Sequence, residues 1–304
     1  LRASWGYLAP GLLGAGGLSL VSPMAPVLGT LLLMNGALAL VAVYAALHRR
    51  TRDPGVLVQL LAAVLAACAA ALLLVVDLAV LVPWLAGFVV LTIAAERVEL
   101  ARLALPRGAP ETLLGFACAL VAMVVLALTL PEVGTRAYGL VLLLLALWLA
   151  RHDVARRMIR TSGLPRLSAA SMLTGYAWLT VAALTWLVLG VPRSIPVYDT
   201  VIHAVFLGFA ISMVIAHVAV ILPAVLGIRL PYHPALWGPL VVLHVGLVVR
   251  IGVGNALGLP VATTVGSVVT VAAMRALVLT ILVLARRGAG GRGRPAHGRP
   301  RARP

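Results

Sequence analysis

Lysine is absent from this sequence and acidic residues are scarce, with eight aspartates and glutamates among 304 residues. Charged residues make up 11% of the chain, whereas a soluble domain carries roughly 25%. A chain in which 62% of the residues are hydrophobic could not cover its surface in water with so few polar side chains. The composition therefore excludes a soluble globular domain and predicts a protein whose exterior faces the lipid bilayer.

Cysteine is nearly absent as well. Cys68 and Cys118 are isolated in apolar runs, which excludes a disulfide framework and a cysteine metal cluster. The sequence also contains no Walker loop, no Gly-x-Ser-x-Gly elbow, no His-Glu-x-x-His motif and no CxxCH haem attachment. These absences leave the catalytic residues unknown and the question of enzymatic activity open.

Arginine is abundant, and its 24 residues give the chain a formal net charge of +16. They cluster between apolar runs and in the tail, as the positive-inside rule requires, and not as on a nucleic-acid surface. If the segment before the first run is cytoplasmic, twenty arginines lie inside and two, Arg136 and Arg193, lie outside. This pattern predicts a multi-pass protein of the bacterial cytoplasmic (inner) membrane, with a cytoplasmic C-terminus and no nucleic-acid partner.

Ten apolar runs follow one another along the chain, separated by proline and glycine turn signals. Most have about 18–25 residues, enough to cross roughly 30 Å of hydrocarbon as a helix. We therefore predict an all-α, polytopic transmembrane helical bundle of about ten spans, the first and sixth being short. The predicted spans are residues 7–22, 26–47, 56–76, 79–100, 111–130, 137–151, 168–191, 198–226, 234–254 and 261–285.

The two ends of the chain differ from this pattern. Residues 286–304 are rich in glycine, arginine and proline, and we predict a disordered basic cytoplasmic tail. At the other end the chain begins with Leu1 and not with methionine, so we expect further N-terminal helices to precede it.

A faint internal repeat suggests two duplicated four-helix units followed by a C-terminal helix pair. Gly87-Phe88 precedes Glu96 at the same spacing at which Gly208-Phe209 precedes His217. The repeat predicts that Glu96 lies at the depth of His217, where it would carry protons or form an interfacial salt bridge.

Ionisable residues at membrane depth are the candidate functional residues, because an unpaired polar group is costly in hydrocarbon. Asp199 and His203 lie four residues apart on one helix face, and His217 follows 14 residues after His203. Those 14 residues advance a helix by ~21 Å and return it to nearly the same face. His244, in the next run, is expected ~14 Å deep like His217, and Arg250 is expected near the level of His203.

Two imidazoles at one depth with a cation above them suit a cofactor. His217 and His244 would supply axial nitrogens to haem b, and Arg250 would bind its propionates. His203 would be a second ligand or a proton-path group. The same pair would serve copper, with Met213 as a soft ligand on the face of His217. Hydrogen-bonded helix packing is the alternative for each histidine. Arg275, in the middle of the tenth run, needs a partner, for which Asp199, Glu96 and a haem propionate are candidates.

The stretch from Asp199 to Arg250 reads HAVFLGFAISMVIAHVAVILPAVLG and then PYHPALWGPLVVLHVGLVVR. It resembles the C-terminal half of the NnrS-type membrane proteins, a haem- and copper-containing family distantly like the catalytic subunit of haem-copper oxidases. The matching positions are His203, His217 and Arg250. The resemblance implies haem binding, with copper as a further cofactor, and a role in redox chemistry, electron transport or nitric-oxide-related respiration and stress.

Two other functions remain open. A transporter or channel would use Asp199, His203, Glu96, Arg250 and Arg275 as a polar path through the membrane. A structural subunit of a respiratory complex would use the same residues for packing against other membrane subunits or within a homo-oligomer.

Overall fold

The computed structural model describes residues 4–23, 26–102, 104–227 and 231–290. Within these ranges the chain is all-α and contains no strand, which confirms the predicted helical membrane bundle. The helices are α1 (Leu8–Leu20), α2 (Pro26–Thr51), α3 (Pro54–Leu72), α4 (Leu78–Leu100), α5 (Ala109–Thr129), α6 (Pro131–His152), α7 (Ala155–Met158), α8 (Gly163–Leu189), α9 (Ile195–Ile202), α10 (Ser212–Leu226), α11 (Trp237–Leu247) and α12 (Pro260–Gly290).

Two π-helical segments extend these helices. The first, His203–Ile211, joins α9 to α10 in one continuous helix, and the second, Val248–Asn255, continues α11. A short 3-10 turn, Pro234–Leu236, precedes α11. The π conformation is rare and is often found at functional sites.

Nine helical segments of the described chain are long and apolar enough to cross a bilayer. They correspond to nine of the ten predicted spans. The first, α1, was predicted to be short, and with 13 residues it reaches only roughly 20 Å. The sixth span, predicted as short, is a full helix of 22 residues. It begins at Pro131, and a proline fits the first helical turn, where no backbone N–H donor is needed.

The last helix extends into the segment predicted as the tail. Helix α12 continues to Gly290, so residues 286–290 are helical and not disordered. The predicted boundary at 285 placed the helix end directly before the first arginines, Arg286 and Arg287. The remainder of the predicted tail, 291–304, lies outside the described residues.

The core lies between α3, α4, α5, α6, α8 and the helix formed by residues 195–226, and it extends to α11 and α12. Its largest buried side chains include Tyr138 and Trp186, whose rings meet edge to face at 5.2 Å. Small residues bring backbones together elsewhere, as is usual for membrane helices. A Cβ atom at Gly266 of α12 would lie 2.6 Å from the backbone nitrogen of Arg250, so α12 packs directly on the second π-helical segment.

Many large apolar side chains remain exposed on the outer faces of the helices, including Val188, Val268 and Leu279. In a chain of this hydropathy, such faces indicate contact with lipid. We call the side of the bundle that carries the ends of α2, α4 and α6 the arginine-rich side, and the opposite side the arginine-poor side.

The two arginines predicted on the arginine-poor side share one carboxylate, that of Glu132. Arg193 lies 2.7 Å from Glu132, and Arg136 lies 3.9 Å from the same carboxylate. Arg136 also donates to the backbone carbonyl oxygens of Leu187 and Val188 at the end of α8. Arg136 therefore has a structural use, since it satisfies carbonyl groups that a helix end leaves without partners.

Candidate functional site

A buried ion pair between Arg97 and Asp153 forms the centre of the first polar cluster. Arg97 Nη2 lies 2.8 Å from Asp153 Oδ1 and Nε lies 3.1 Å from Oδ2, and their side chains are 6% and 2% exposed. Tyr176 of α8 donates to Asp153 Oδ2 at 2.6 Å. Arg97 Nη1 lies 3.1 Å from His217 Nε2. These four residues, the Asp153 network, link α4, α8 and α10 on the arginine-rich half of the bundle.

The position of the Asp153 carboxylate follows from the end of α6. The helix stops at His152, and Asp153 leaves it with an extended backbone. Its Oδ1 accepts the backbone N–H of Ala155 at 2.9 Å, a local bond typical of aspartate at turns. The carboxylate is therefore held by both main chain and side chains, which is the arrangement that a buried charge requires.

A second ion pair, between Asp199 and Arg250, lies near the arginine-poor side. Arg250 Nε and Nη2 donate to the two carboxylate oxygens at 2.9 and 2.5 Å. Asn255 Nδ2 donates to Asp199 Oδ2 at 2.8 Å, and Arg250 also donates to the hydroxyl oxygen of Ser267. His203 Nδ1 lies 2.9 Å from the backbone oxygen of Asp199 and 3.2 Å from Oδ1. We call these residues the Asp199 network.

Both π-helical segments supply this second network. His203 is the first residue of one segment, whereas Arg250 and Asn255 belong to the other. A π turn holds more residues than an α turn, so it changes which side chains share a face of the helix. The two segments thereby bring His203, Arg250 and Asn255 to the same carboxylate, Asp199.

The third polar contact joins α8 to α11. Trp178 Nε1 donates to His244 Nδ1 at 3.0 Å, and the Trp178 ring lies against Gly208 in the first π-helical segment. Nδ1 of His244 accepts, so a neutral ring carries its proton on Nε2. That Nε2 atom is buried and has no hydrogen-bond partner among the described residues.

The predicted pairing of His217 with His244 differs from what the structure contains. His217 bonds to Arg97 of α4, whereas His244 bonds to Trp178 of α8, and no hydrogen bond joins the two within the described chain. Helices that follow one another in sequence were expected to be neighbours through a short loop. Each helix instead packs its histidine against an earlier helix of the bundle.

At two of the residues proposed for haem or copper, a ring nitrogen is engaged in a hydrogen bond, and the cofactor assignment stays a prediction. An axial imidazole must offer an unprotonated nitrogen, yet His217 Nε2 is bound to Arg97 and His244 Nδ1 to Trp178. The methyl carbon of Met213 would lie 3.2 Å from a Cβ at Gly175, so this side chain is packed against α8. His203 is the exception, because its Nδ1 is oriented by Asp199 and no partner of Nε2 occurs among the described residues.

Three other predicted site residues make contacts different from those predicted, or none with the predicted partners. Arg250, predicted for haem propionates, binds the carboxylate of Asp199 instead. Glu96 is exposed and accepts from Gln59 Nε2 at 2.9 Å, so it lies outside the Asp153 network. Arg275 is exposed on α12 beside Val271 and Ala272, and neither Asp199 nor Glu96 bonds to it.

Comparison with known proteins gives a family without an assigned activity. The family model described as "Domain of unknown function (DUF8744)" matches residues 1–286. The chain belongs to this family. No curated protein and no solved structure matches it. The resemblance to NnrS-type proteins therefore stays a prediction.

In this DUF8744 chain, sequence reasoning missed the residues that complete the two networks. Arg97 and Asp153 look like ordinary interfacial charges, because each lies among other charged residues at a predicted helix end. One available signal was Asp153 itself, a lone carboxylate within an arginine-rich segment. Tyr176 and Asn255 carried no such signal, since their roles depend on which helices meet.

Proposed function

We propose that this chain is a membrane transport protein, a transporter or channel, that moves protons along the helix formed by residues 195–226. The observation that carries the proposal is the presence of an ion-pair network near each end of this helix, one buried and the other partly buried. Asp199 and His203 belong to one network and His217 to the other. We place the protein in the bacterial cytoplasmic membrane, with its arginine-rich side and C-terminus in the cytoplasm.

Buried charge is the first support for this function. An ion pair in a low-dielectric interior is often no more stabilising than a well-packed apolar pair, because both charges lose their hydration. A buried pair and a second, partly buried pair on opposite halves of one bundle are therefore more than fold stability requires. Ionisable residues inside membrane spans are commonly parts of proton or ion pathways.

The close packing around the Asp153 network favours a proton over a larger solute. The cavity beside Arg97 and Asp153 has a volume of about 10 Å³, which is space for about one water molecule. A hydrated ion does not fit there, whereas a proton can pass between hydrogen-bonded groups. His203, His217 and the two carboxylates supply titratable groups on both halves of the membrane.

Proton flux into liposomes tests the proposal. The purified chain would be reconstituted with a pH-sensitive dye inside the vesicles, and a potassium gradient with valinomycin would set the membrane potential. We expect wild-type protein to acidify or alkalinise the lumen according to the sign of the potential. Asp199→Asn keeps the size of the side chain but removes its charge, so flux should fall to the level of protein-free vesicles.

Glu132→Gln is the matched control, since Glu132 is an exposed carboxylate on the same side that pairs with Arg193. This variant should retain wild-type flux. Wild-type flux no higher than in protein-free vesicles would overturn the proposal, and so would equal losses in both variants.

Haem b or copper binding is the second candidate function. One observation favours it, namely that Nε2 of His203 has no partner among the described residues while its Nδ1 is oriented by Asp199. An absorption spectrum and metal analysis of the same purified protein test it. A Soret band that disappears in His203→Ala would support a haem, and a redox or nitric-oxide-related role would then replace proton transport. Co-purification with respiratory subunits would support the structural alternative.

A further inference from the structure

A basic surface pocket opens on the arginine-rich side, next to the Asp153 network. Its volume is about 740 Å³. It lies between the connection from α4 to α5 and the segment that joins α6 to α8. The lining residues are Ala104, Leu105, Pro106, Arg151, His152, Asp153, Arg156, Arg157 and Arg160.

The pocket has a large excess of positive charge. Four arginines line it, and all four are exposed. Among its lining residues Asp153 is the one carboxylate, and it is already bound by Arg97 and Tyr176. The four guanidinium groups therefore face the pocket without a carboxylate of their own.

Nearby acidic residues do not compensate this charge. On the same side of the bundle, Asp53 and Glu99 both accept from Arg102, at 3.2 and 3.4 Å. Arg102 does not line the pocket. The acids of the adjacent helix ends are thus used by a different arginine.

Two of the pocket arginines are positioned by main-chain contacts. Arg157 Nη2 donates to the backbone oxygen of Ala104 at 3.4 Å, across the mouth of the pocket, and Arg156 Nη1 donates to that of Arg151 at 3.3 Å. A guanidinium has several N–H donors in a planar fork, so one such bond leaves others for a ligand. This fork matches the oxygens of a phosphate group.

We propose that this pocket binds a phosphate group, carried by an anionic phospholipid or by a soluble phosphate compound. The pocket lies where the arginine-rich helix ends meet the membrane surface, and basic pockets at that level bind phospholipid headgroups in other membrane proteins. A topogenic role alone would explain the arginines but not their arrangement around a concave site without a carboxylate partner. Binding needs no transport activity, so this inference stands apart from the proposed function.

Two ligand arms separate the sources of phosphate. In the first, phosphatidylglycerol is titrated into detergent-solubilised protein, with phosphatidylcholine as reference, and native mass spectrometry counts the retained lipids. In the second, inorganic pyrophosphate is titrated into protein in phosphatidylcholine nanodiscs by calorimetry. Saturable retention of phosphatidylglycerol supports a lipid site, and saturable heat with pyrophosphate supports a soluble ligand.

The double variant Arg156→Gln/Arg160→Gln tests the residues. Two fewer arginines should weaken binding about 25-fold, since each contributes about fivefold near an anionic surface. The control is Arg49→Gln/Arg50→Gln, which removes two exposed arginines at the end of α2, outside the pocket. It should bind like wild type.

Circular dichroism and gel filtration establish that each variant is folded, and the single variant Arg160→Gln replaces the double one if that does not fold. The proposal is overturned if neither ligand binds saturably. It is equally overturned if the control loses as much affinity as the pocket variant, because binding would then depend on general surface charge.

Discussion

Arg97 and Asp153 form a nearly fully buried ion pair, and Tyr176 completes the hydrogen bonding of the carboxylate. Asp153→Ala would leave the guanidinium of Arg97 buried without its counter-charge. Breaking a buried pair in this way costs about 3–5 kcal/mol. We expect a large fall in thermal stability in detergent, measured by far-ultraviolet circular dichroism.

Glu99→Ala is the control, because Glu99 belongs to an exposed pair with Arg102. Exposed pairs contribute at most about 1 kcal/mol. A stability loss in Asp153→Ala no larger than in Glu99→Ala would contradict the buried role of Asp153.

Arg250 and Arg275 are two mid-span arginines whose replacement is expected to affect the stability of the fold differently. Arg250 binds Asp199 and Ser267 on neighbouring helices, so Arg250→Leu should destabilise the fold by about 3–5 kcal/mol. Arg275 is exposed on α12, so Arg275→Leu removes no hydrogen bond or ion pair seen among the described residues. Its thermal stability should be unchanged, and its membrane insertion should improve because arginine is costly at mid-span. Equal destabilisation of both variants in detergent would refute this difference.

How much of the site was predictable depends on its chemistry. Asp199, His203, His217 and Arg250 stand out because a charged or titratable residue is conspicuous in an apolar run. Their partners, in contrast, could not be predicted from the sequence. Asp199 forms an ion pair with Arg250 and not with Arg275, and this pairing depends on the packing of α12 against the second π-helical segment.

At the scale of elements, the first π-helical segment packs closely on α8. A Cβ at Gly208 would overlap the ring of Trp178, which also donates to His244. Gly208→Ala should therefore displace the ring and cost about 1–3 kcal/mol from overpacking. Loss of the hydrogen bond would add about 1 kcal/mol. Thermal unfolding in detergent measures the change.

Gly115→Ala in α5 is the matched control, since a Cβ there meets nothing within 4 Å. Alanine favours a helix over glycine by up to about 1 kcal/mol. This variant should be as stable as wild type or more so. A Gly208→Ala protein as stable as Gly115→Ala would argue against the close contact between the π-helical segment and Trp178.

The π-helical segments themselves could not be predicted from the sequence. Apolar periodicity distinguishes helix from strand, yet His203–Ile211 is uniformly apolar after its first residue and has no periodic signal to indicate its pitch. A π segment is held by the partners that it meets, here the Asp199 network and Trp178. Such partners come from helices distant in sequence, so local pattern carries no information about them.

For the whole molecule, the helix positions were largely predictable, since apolar runs separated by proline and glycine coincide with helices from α2 to α12. The errors lie at the ends. Helix α1 is short because Ser22 and Pro23 follow it closely. Helix α6 is longer than predicted because its first two turns contain the charged residues Glu132 and Arg136, and the predicted apolar run therefore began only at residue 137. Polar first turns are common at membrane surfaces, where they meet water and headgroups.

The orientation of the whole bundle gives the last prediction. The arginine-rich side carries the connection between α6 and α8, and the arginine-poor side carries the connection between α8 and α9. Under the positive-inside rule, Ser162 faces the cytoplasm and Ser194 faces the outside. Ser194→Cys in intact cells should react with a membrane-impermeant maleimide, whereas Ser162→Cys should react only after the membrane is permeabilised. The native Cys68 and Cys118 lie within spans α3 and α5, so the unmodified chain provides the background for labelling. The opposite pattern would reverse the bundle, placing the basic pocket outside the cell and the Asp199 network next to the cytoplasm.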